Sequence, residues 1–563
     1  MSDIVASQYR YQTALVVNET TGLKVDVSGA IAELQLYENI TSIGISGKIL
    51  IVDNLNLFDR INFSGTETLD IEVISDATGT TITKSFVMVK VDKKEVVNDE
   101  TISYVFSLMS KPVFIGIDIA TENLRAVVID EIGIALASSN HPLAPVVSGA
   151  GNSKTQDVSS WITAIESVLR EISNKCKQLD LIPQSLSISA TSGTFLLTDS
   201  KLIPIAAAAM YNDGRGSTVL GRAEAIINSV NNSGPFYLLN TPEFVIAQLS
   251  GKPLSEIPTD SSHSLKIGLD FTTLTFTDQV LTKAKSLNLA LPRLVLPGTK
   301  LATISSEIST QLGINQIPIY AGMTDGCTAQ ISAGGSSGSV TSLGTTMVIK
   351  AVSKKSIKGE SFYSHLLPKN RYLAGGASNI GGISYKQFAT DIDNWNQKAS
   401  DFGVANVVTY PLPGVGERFP FLAADMKNMI SGKVKNDTES FRAILEAIAF
   451  TERYSYELLA KAGADISDAI FTAGGGGKSA LLSQIRATVL GRPVITLSKS
   501  GSDIGAAMLA LASDQLSSDG DLAGGLAKIK ISHGETFNPS DNEKDHLERN
   551  WQEFLTLTAN YRS

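Results

Sequence analysis

The sequence predicts an α/β protein of two similarly built lobes behind a small all-β segment, and three observations carry that expectation. Residues 8–111 alternate apolar and polar in short runs. From Pro112 onward, strand patterns alternate with helical ones. A strand–turn–strand at 113–130 is echoed by another at 339–351.

In the first segment, Ala32-Glu-Leu-Gln-Leu-Tyr37, Gly47-Lys-Ile-Leu-Ile-Val52 and Leu69-Asp-Ile-Glu-Val73 keep period two between Asp, Asn and Gly punctuation. That pattern indicates antiparallel strands of a sandwich or barrel. No grouping of His, Cys or paired carboxylates suggests chemistry there, so the expected role is assembly. After Pro112, strands at 113–118 and 124–130 precede an amphipathic helix carrying Trp161, Ile165, Val168, Leu169 and Ile172, the signature of an α/β layer. The echo at 339–343, Gly344-Thr-Thr346 and 347–351 suggests the second lobe. Met109-Ser110-Lys111 reads like the beginning of a free-standing protein, as a gene fusion would leave. The expected units are 1–111, 112–335, 336–530 and a helical tail at 531–563.

The 563 residues allow several domains with large cores. A hydrophobic content of 43% and charge of 18% exclude disorder. A net charge of −9 excludes nucleic acid as a general partner. Cys176 and Cys327 alone build no disulfide framework or zinc site, which suits a reducing cytoplasm. The start Met1-Ser-Asp-Ile4 lacks the features of a signal peptide, and no run approaches the roughly 20 apolar residues of a membrane helix.

Three segments carry chemistry. Ile317-Pro-Ile-Tyr-Ala-Gly-Met-Thr-Asp-Gly326 reads as an apolar strand delivering Asp325 to a helix start. There a carboxylate serves either as a helix cap or as a general base meeting a substrate hydroxyl. Gly344-Thr345-Thr346 is either a plain turn or a phosphate-holding hairpin with bare N–H groups and two hydroxyls. Thr472-Ala-Gly-Gly-Gly-Gly-Lys-Ser479 places four glycines between a strand and a helix, where a nucleotide can lie on backbone. Its spacing is not that of a Walker A loop.

Together with Gly116-Ile-Asp118, Thr191-Ser-Gly193, Tyr211-Asn-Asp213, Gly375-Gly-Ala-Ser-Asn379, Arg442-Ala-Ile-Leu-Glu446 and Gly505-Ala-Ala507, these segments resemble the FGGY carbohydrate kinases, in the expected order. Tyr363-Ser-His365 and Tyr410-Pro-Leu-Pro-Gly-Val-Gly-Glu-Arg-Phe-Pro420 are similar to the D-ribulose kinase, xylulokinase-like branch of cyanobacteria and plants. The resemblance implies two ribonuclease-H-like lobes of the actin and hexokinase type, and phosphorylation of a ketopentose, D-ribulose before D-xylulose, with ATP and Mg²⁺. Under it, Asp325 is the base, and Asp118 holds magnesium and the sugar. Ser192 and Asn212 contact the sugar. Thr121, Gly344, Thr345 and Thr346 contact phosphates, and Gly474, Gly475, Gly476 and Ser479 bind ATP.

The leader motif Glu33-Leu-Gln-Leu-Tyr-Glu-Asn-Ile40 with Ser46-Gly-Lys-Ile-Leu-Ile-Val-Asp-Asn54 resembles the baseplate or tail proteins of tailed bacteriophages. That likeness makes residues 1–111 an expected surface for self-association or a virion partner. It leaves two rival readings, an assembly protein with an impaired kinase portion and a nucleotide-binding regulator. The family's first phosphate turn, Asp-x-Gly-Thr-Ser/Thr-x-x-Arg, stands here as Asp118-Ile-Ala-Thr-Glu-Asn-Leu-Arg125. Ala120 needs a negative φ, and Glu122 would repel triphosphate unless it turns outward. The stretch 231–243 looks short beside those relatives.

Overall fold

The computed structural model describes residues 9–562 apart from 19–20, 39–43, 55, 62, 64–66, 77–78, 231–233, 271–272, 336, 368–370, 498–499, 516–520 and 532. The chain start at 1–4, Asn39 and Ile40 of the leader motif, and 231–233 of the short stretch therefore lie outside the described residues.

The leader's alternating runs form β1 (Tyr9–Asn18), β2 (Lys24–Asp26), β3 (Ile31–Glu38), β4 (Ile45–Asp53), β5 (Glu67–Ser75), β6 (Thr81–Asn98) and the first half of β7 (Thr101–Ile119). They pair in the order β2-β1-β5-β6-β7-β4-β3. Every second residue points the same way, so Ala14, Val16, Ile49, Ile51, Leu69, Ile71, Phe86, Met88, Phe106 and Leu108 share one core. The short helix α1 (Leu57–Ile61) caps that core, with Phe58 stacked on Phe106 at 5.0 Å between centroids. This is an open curled sheet rather than a sandwich or closed barrel: β2 and β3 stand at opposite ends and are not paired with each other.

Strand β7 does not stop at the expected junction. Its residues 101–110 pair with β4 and β6, while 111–119 pair with the next sheet. Burial changes character along it: alternation gives way to continuous burial from Pro112 to Ile119. A strand with one wet face alternates, and a strand covered on both faces reads as an apolar run. The change of texture at Pro112 thus marks where helices begin to cover both faces of an unbroken strand.

In the first lobe, β8 (Asn123–Ile129) and β9 (Ala135–Pro142) continue antiparallel from β7, and helix α2 (Ser159–Gln178) crosses to β10 (Leu181–Ala190). Strands β10 and β11 (Pro318–Tyr320) are parallel to β7, giving the order β9-β8-β7-β10-β11. The predicted apolar face of α2, with Trp161, Ile165, Val168, Leu169 and Ile172, is buried on this sheet.

Helix α3 (Asp325–Gly334) leads into the second lobe, where β12 (Ser339–Leu343), β13 (Met347–Ser353), β14 (Tyr363–Leu367) and β15 (Arg371–Ser378) are antiparallel neighbours. After helix α4 (Asp437–Lys461) come β16 (Ile470–Ala473), α5 (Ala480–Leu490) and β17 (Val494–Leu497), with β16 parallel to both β12 and β17. The order β15-β13-β12-β16-β17 repeats the first lobe strand for strand.

Helix α6 (Ser502–Asp514) is wedged between the lobes. A Cβ on Gly116 would lie 1.9 Å from the Asp503 carbonyl oxygen, and one on Gly505 1.8 Å from that of Thr328. Only glycine permits such backbone approach, which explains both motif glycines by packing. Buried Arg442 pairs with Glu446 at 2.7 Å inside α4, so that motif serves the second core. The segment 531–563, expected as a helical tail, supplies an edge strand, β18 (His533–Phe537), as well as α7 (Lys544–Leu557), whose Trp551 and Phe554 pack on Phe450. No described helix is long and apolar enough to cross a membrane.

Candidate active site

Parallel strands deliver their following residues to one edge of the sheet, and here three such ends coincide. Asp118 on β7 is in register with Ser189 on β10, and Ala190 bridges to Thr324 after β11. Asp118, the Thr191-Ser192 pair and Asp325 therefore share the carboxyl-end rim of the first lobe.

Asp325 is the first residue of α3; the N-cap is Thr324, which makes no side-chain capping bond. The Asp325 carboxylate accepts from the Gly326 N–H at 2.7 Å and lines a cleft of ≈ 440 Å³ between the lobes. Thr121, Ser192, Tyr211 and Lys266 share its first-lobe wall. Lys350, Tyr363, His365 and Arg418 form the facing wall. Ser192 Oγ is buried without a hydrogen-bond partner, and Lys266 donates to the Ser192 carbonyl at 2.8 Å.

Asp118 is 1% exposed and receives Arg125 at 2.6 Å on Oδ2, while Oδ1 has no partner. Burial, outweighing Arg125 and reinforced by Asp325 and Asp503, pushes its carboxyl up to about 6. A buried carboxylate oxygen with an empty coordination side suits a hard cation. Among the described residues no group of three or more His, Cys, Asp or Glu forms a preassembled metal site. The free oxygen of Asp118 thus fits a magnesium ion, which Asp118 would hold.

Behind Asp325 lies a buried trio. The N–H of Thr324 donates to Ser262 Oγ at 2.9 Å, which holds the short helix Ser261–Ser264 beside Asp325. His263 in that helix donates from Nδ1 to Asp260 and leaves Nε2 unpartnered. Burial alone would lower His263, but the carboxylates of Asp260 and Glu243 raise it to about 9. Glu243 is itself lifted by burial to about 7. Across the cleft, burial and the nearby cations Lys350, Lys266 and His263 push His365 down to about 3, leaving it neutral.

The nucleotide-side residues gather at the corresponding rim of the second lobe. Ser342 on β12 is in register with Ala473 on β16, so Gly344-Thr345-Thr346 and Gly474-Gly475-Gly476 emerge side by side. Gly344 donates to the Thr346 carbonyl at 3.1 Å. Gly474 has φ 86°, and a Cβ on it would lie 2.7 Å from the Leu343 carbonyl oxygen. Ser479 caps α5 by accepting from Leu482 and also bonds Asn396 at 3.1 Å.

Of the predicted site residues, the cleft lining holds Thr121, Ser192 and Asp325, and it does not hold Asp118, Asn212, Gly344, Thr345, Thr346, Gly474, Gly475, Gly476 or Ser479. Asn212 is exposed and outside the cleft lining; its neighbour Tyr211 lines the cleft, and Asp213 is tied to Arg215 at 2.7 Å. Glu122 is likewise exposed and outside the lining, and Ala120 is not among the positive-φ residues. The first turn therefore closes, Ala120 N–H to Asn123 carbonyl at 3.0 Å, without setting the extra carboxylate in the cleft. Sequence reasoning missed Lys266, Lys350, Arg418, Asp503 and the His263 trio. Lys350 had a visible signal as the lone charge in the apolar strand Met347-Val-Ile-Lys-Ala-Val352.

Two lobes that repeat one strand order on either side of a cleft define a two-lobed fold of the actin and hexokinase type. Residues 332–513 match the FGGY family of carbohydrate kinases, C-terminal domain. A xylulose kinase of Staphylococcus epidermidis is 24% identical over 439 residues, covering 71% of this chain and 88% of that relative. The solved xylulose kinase of Rhodospirillum rubrum superposes with a TM-score of 0.68 at 19% identity, covering 80% of this chain and 98% of that one. A gluconate kinase of Lactobacillus acidophilus gives 0.67, at 19% identity and the same coverage. Behind its β-sheet leader the chain thus shares the fold of these solved kinases, and residues 332–513 are similar to the FGGY C-terminal domain.

Proposed function

We propose that this chain transfers the γ-phosphoryl group of ATP to a hydroxyl of a ketopentose, with Asp325 as general base. The observation that carries the reading is the meeting of Asp325 and unpaired Ser192 Oγ in the cleft between the lobes, with half-paired Asp118 at the end of the adjoining strand; in the second lobe Gly344–Thr346 and Gly474–Gly476 emerge side by side. Asp325 takes the proton as the acceptor oxygen bonds to phosphorus and the bond to the ADP oxygen breaks. Ser192 and Asp118 hold the sugar. Thr121 and Gly344–Thr346 hold phosphates, Gly474–Gly476 lie along adenosine, and Ser479 fixes the start of α5 beside it. Asp118 would hold magnesium, which would supply charge neutralisation on the phosphates. Positioning and charge compensation carry most of such a transfer, and closure of the lobes keeps water out.

D-Ribulose and D-xylulose are the acceptors of this reading. The Tyr363-Ser-His365 likeness favours the first and the relatives' names the second. The work belongs in the cytoplasm. Of the features behind the rival assembly reading, Glu122 is exposed and Ala120 has no positive φ, while the β-rich leader remains. The decisive assay is ADP release by the full chain with each pentulose. Release that depends on sugar supports the reading, and nucleotide binding with no sugar-dependent release would replace it with a regulator.

A further inference from the structure

Lys350 stands where local electrostatics disfavour it. It lies on β13, four residues beyond the Gly344–Thr346 turn, and it lines the cleft. Its Nζ donates to the Gly326 carbonyl at 2.9 Å, so a second-lobe cation reaches the residue next to Asp325 at the first turn of α3. The start of a helix carries partial positive charge, and an ammonium there is the wrong sign for stability. Among the described residues Lys350 makes no ion pair, and Asp325 is the carboxylate that shares its cleft. Lys266 and Arg418 add positive charge on the same cleft, while the imidazolium of His263 behind is offset by Asp260. The arginine of the first phosphate turn, Arg125, is meanwhile bonded to Asp118. An excess of cations around one base, in a half-buried cleft, becomes favourable when an anion enters.

We infer that Lys350 is a catalytic residue of the proposed transfer: held over Gly326 by the closed lobes, it contacts the γ-phosphoryl group as it passes to the acceptor oxygen beside Asp325. This rests on the kinase reading above. Lys350 keeps its proton throughout. The acceptor proton goes to Asp325, and the leaving electron pair goes to ADP. Because β13 begins at the phosphate turn, Lys350 also ties the nucleotide lobe to the base, so its bond to Gly326 forms only with the lobes together.

The test is steady-state kinetics of full-length Lys350→Met and Lys350→Arg with ATP and a pentulose that the unaltered chain uses. Lys350→Met is expected to lose on the order of 10²-fold in kcat, the scale of one removed charge-stabilising donor, with both KM values within about threefold. Lys350→Arg is expected to recover at least tenfold of that loss, which a packing role would not produce. A thermal midpoint for Lys350→Met close to the unaltered chain's excludes misfolding as the cause. If Lys350→Met keeps its kcat, or changes only KM, the inference is wrong while the kinase reading stands. If the unaltered chain transfers phosphate to no sugar, the kinase reading fails and this inference with it.

Discussion

The two lobes share one strand order yet end their first hairpins in opposite ways. The β7–β8 turn is polar and charged: Asp118 is buried, gripped by Arg125 and short of one partner. The β12–β13 turn is bare backbone, with Gly344 bonded across to Thr346 and Gly382 donating to Gly344 at 2.8 Å. The same topology therefore ends in a charged turn in one lobe and a glycine turn in the other. Identical scaffolds diverge at the turn, because a turn's side chains are free of the packing that constrains the strands beneath.

The sharpest way to break this comparison is to remove the base from one rim alone. Asp325→Asn should cost about 10²–10⁴ in kcat while leaving the fold intact, since the residue makes no capping bond that Asn cannot replace. Next is the joint between the lobes. Gly505→Ala would push a Cβ onto the Thr328 carbonyl and should lower unfolding free energy by about 1–3 kcal/mol, read from urea midpoints. On the nucleotide rim, Gly474→Ala meets both a positive φ and the Leu343 carbonyl. It should raise KM for ATP by about tenfold, with a smaller effect on the KM for sugar.

A subtler difference is electrostatic, because the buried titrating trio lies in the first lobe only. Both Glu243 and His263 have pKa values raised in the native state, so the folded chain holds protons that the unfolded chain releases. Their contribution is complete below the unfolded values, about 4.5 and 6.5, and disappears as pH rises through 7 and 9. Urea midpoints should therefore fall between about pH 6 and 9, and less steeply in His263→Gln. The smallest effect is expected at the atypical residue of the first turn. Glu122→Ser should change kcat by less than about twofold, because the carboxylate is exposed away from the cleft.

The repeat was legible because period and order are local: the two strand–turn–strand patterns and the glycine run sit where the chain places them. Asp325 was legible for the same reason, as an apolar strand running into a small-residue helix. The shared strand was not. Nothing in Met109-Ser-Lys-Pro112 says that β7 pairs with β4 and β6 at one end and with β8 and β10 at the other, since partner identity is a tertiary property. The role of 531–563 was hidden likewise, because β18 joins β17 across a long sequence gap. Side-chain direction was also out of reach, so the motif Tyr211-Asn-Asp213 does not tell that Tyr211 lines the cleft, nor the first turn that Glu122 is exposed. The cleft's cations come from three separated segments, Lys266, Lys350 and Arg418, and only folding brings them together.

The most direct measurement is single-turnover transfer of γ-labelled phosphate from ATP to D-xylulose and D-ribulose, comparing the unaltered chain with Asp325→Asn. Labelled sugar phosphate from the unaltered chain, slowed at least a hundredfold in the variant, is the expected result. Equal transfer by both, or label released only as inorganic phosphate, would contradict the assignment of Asp325 as the base of a sugar kinase.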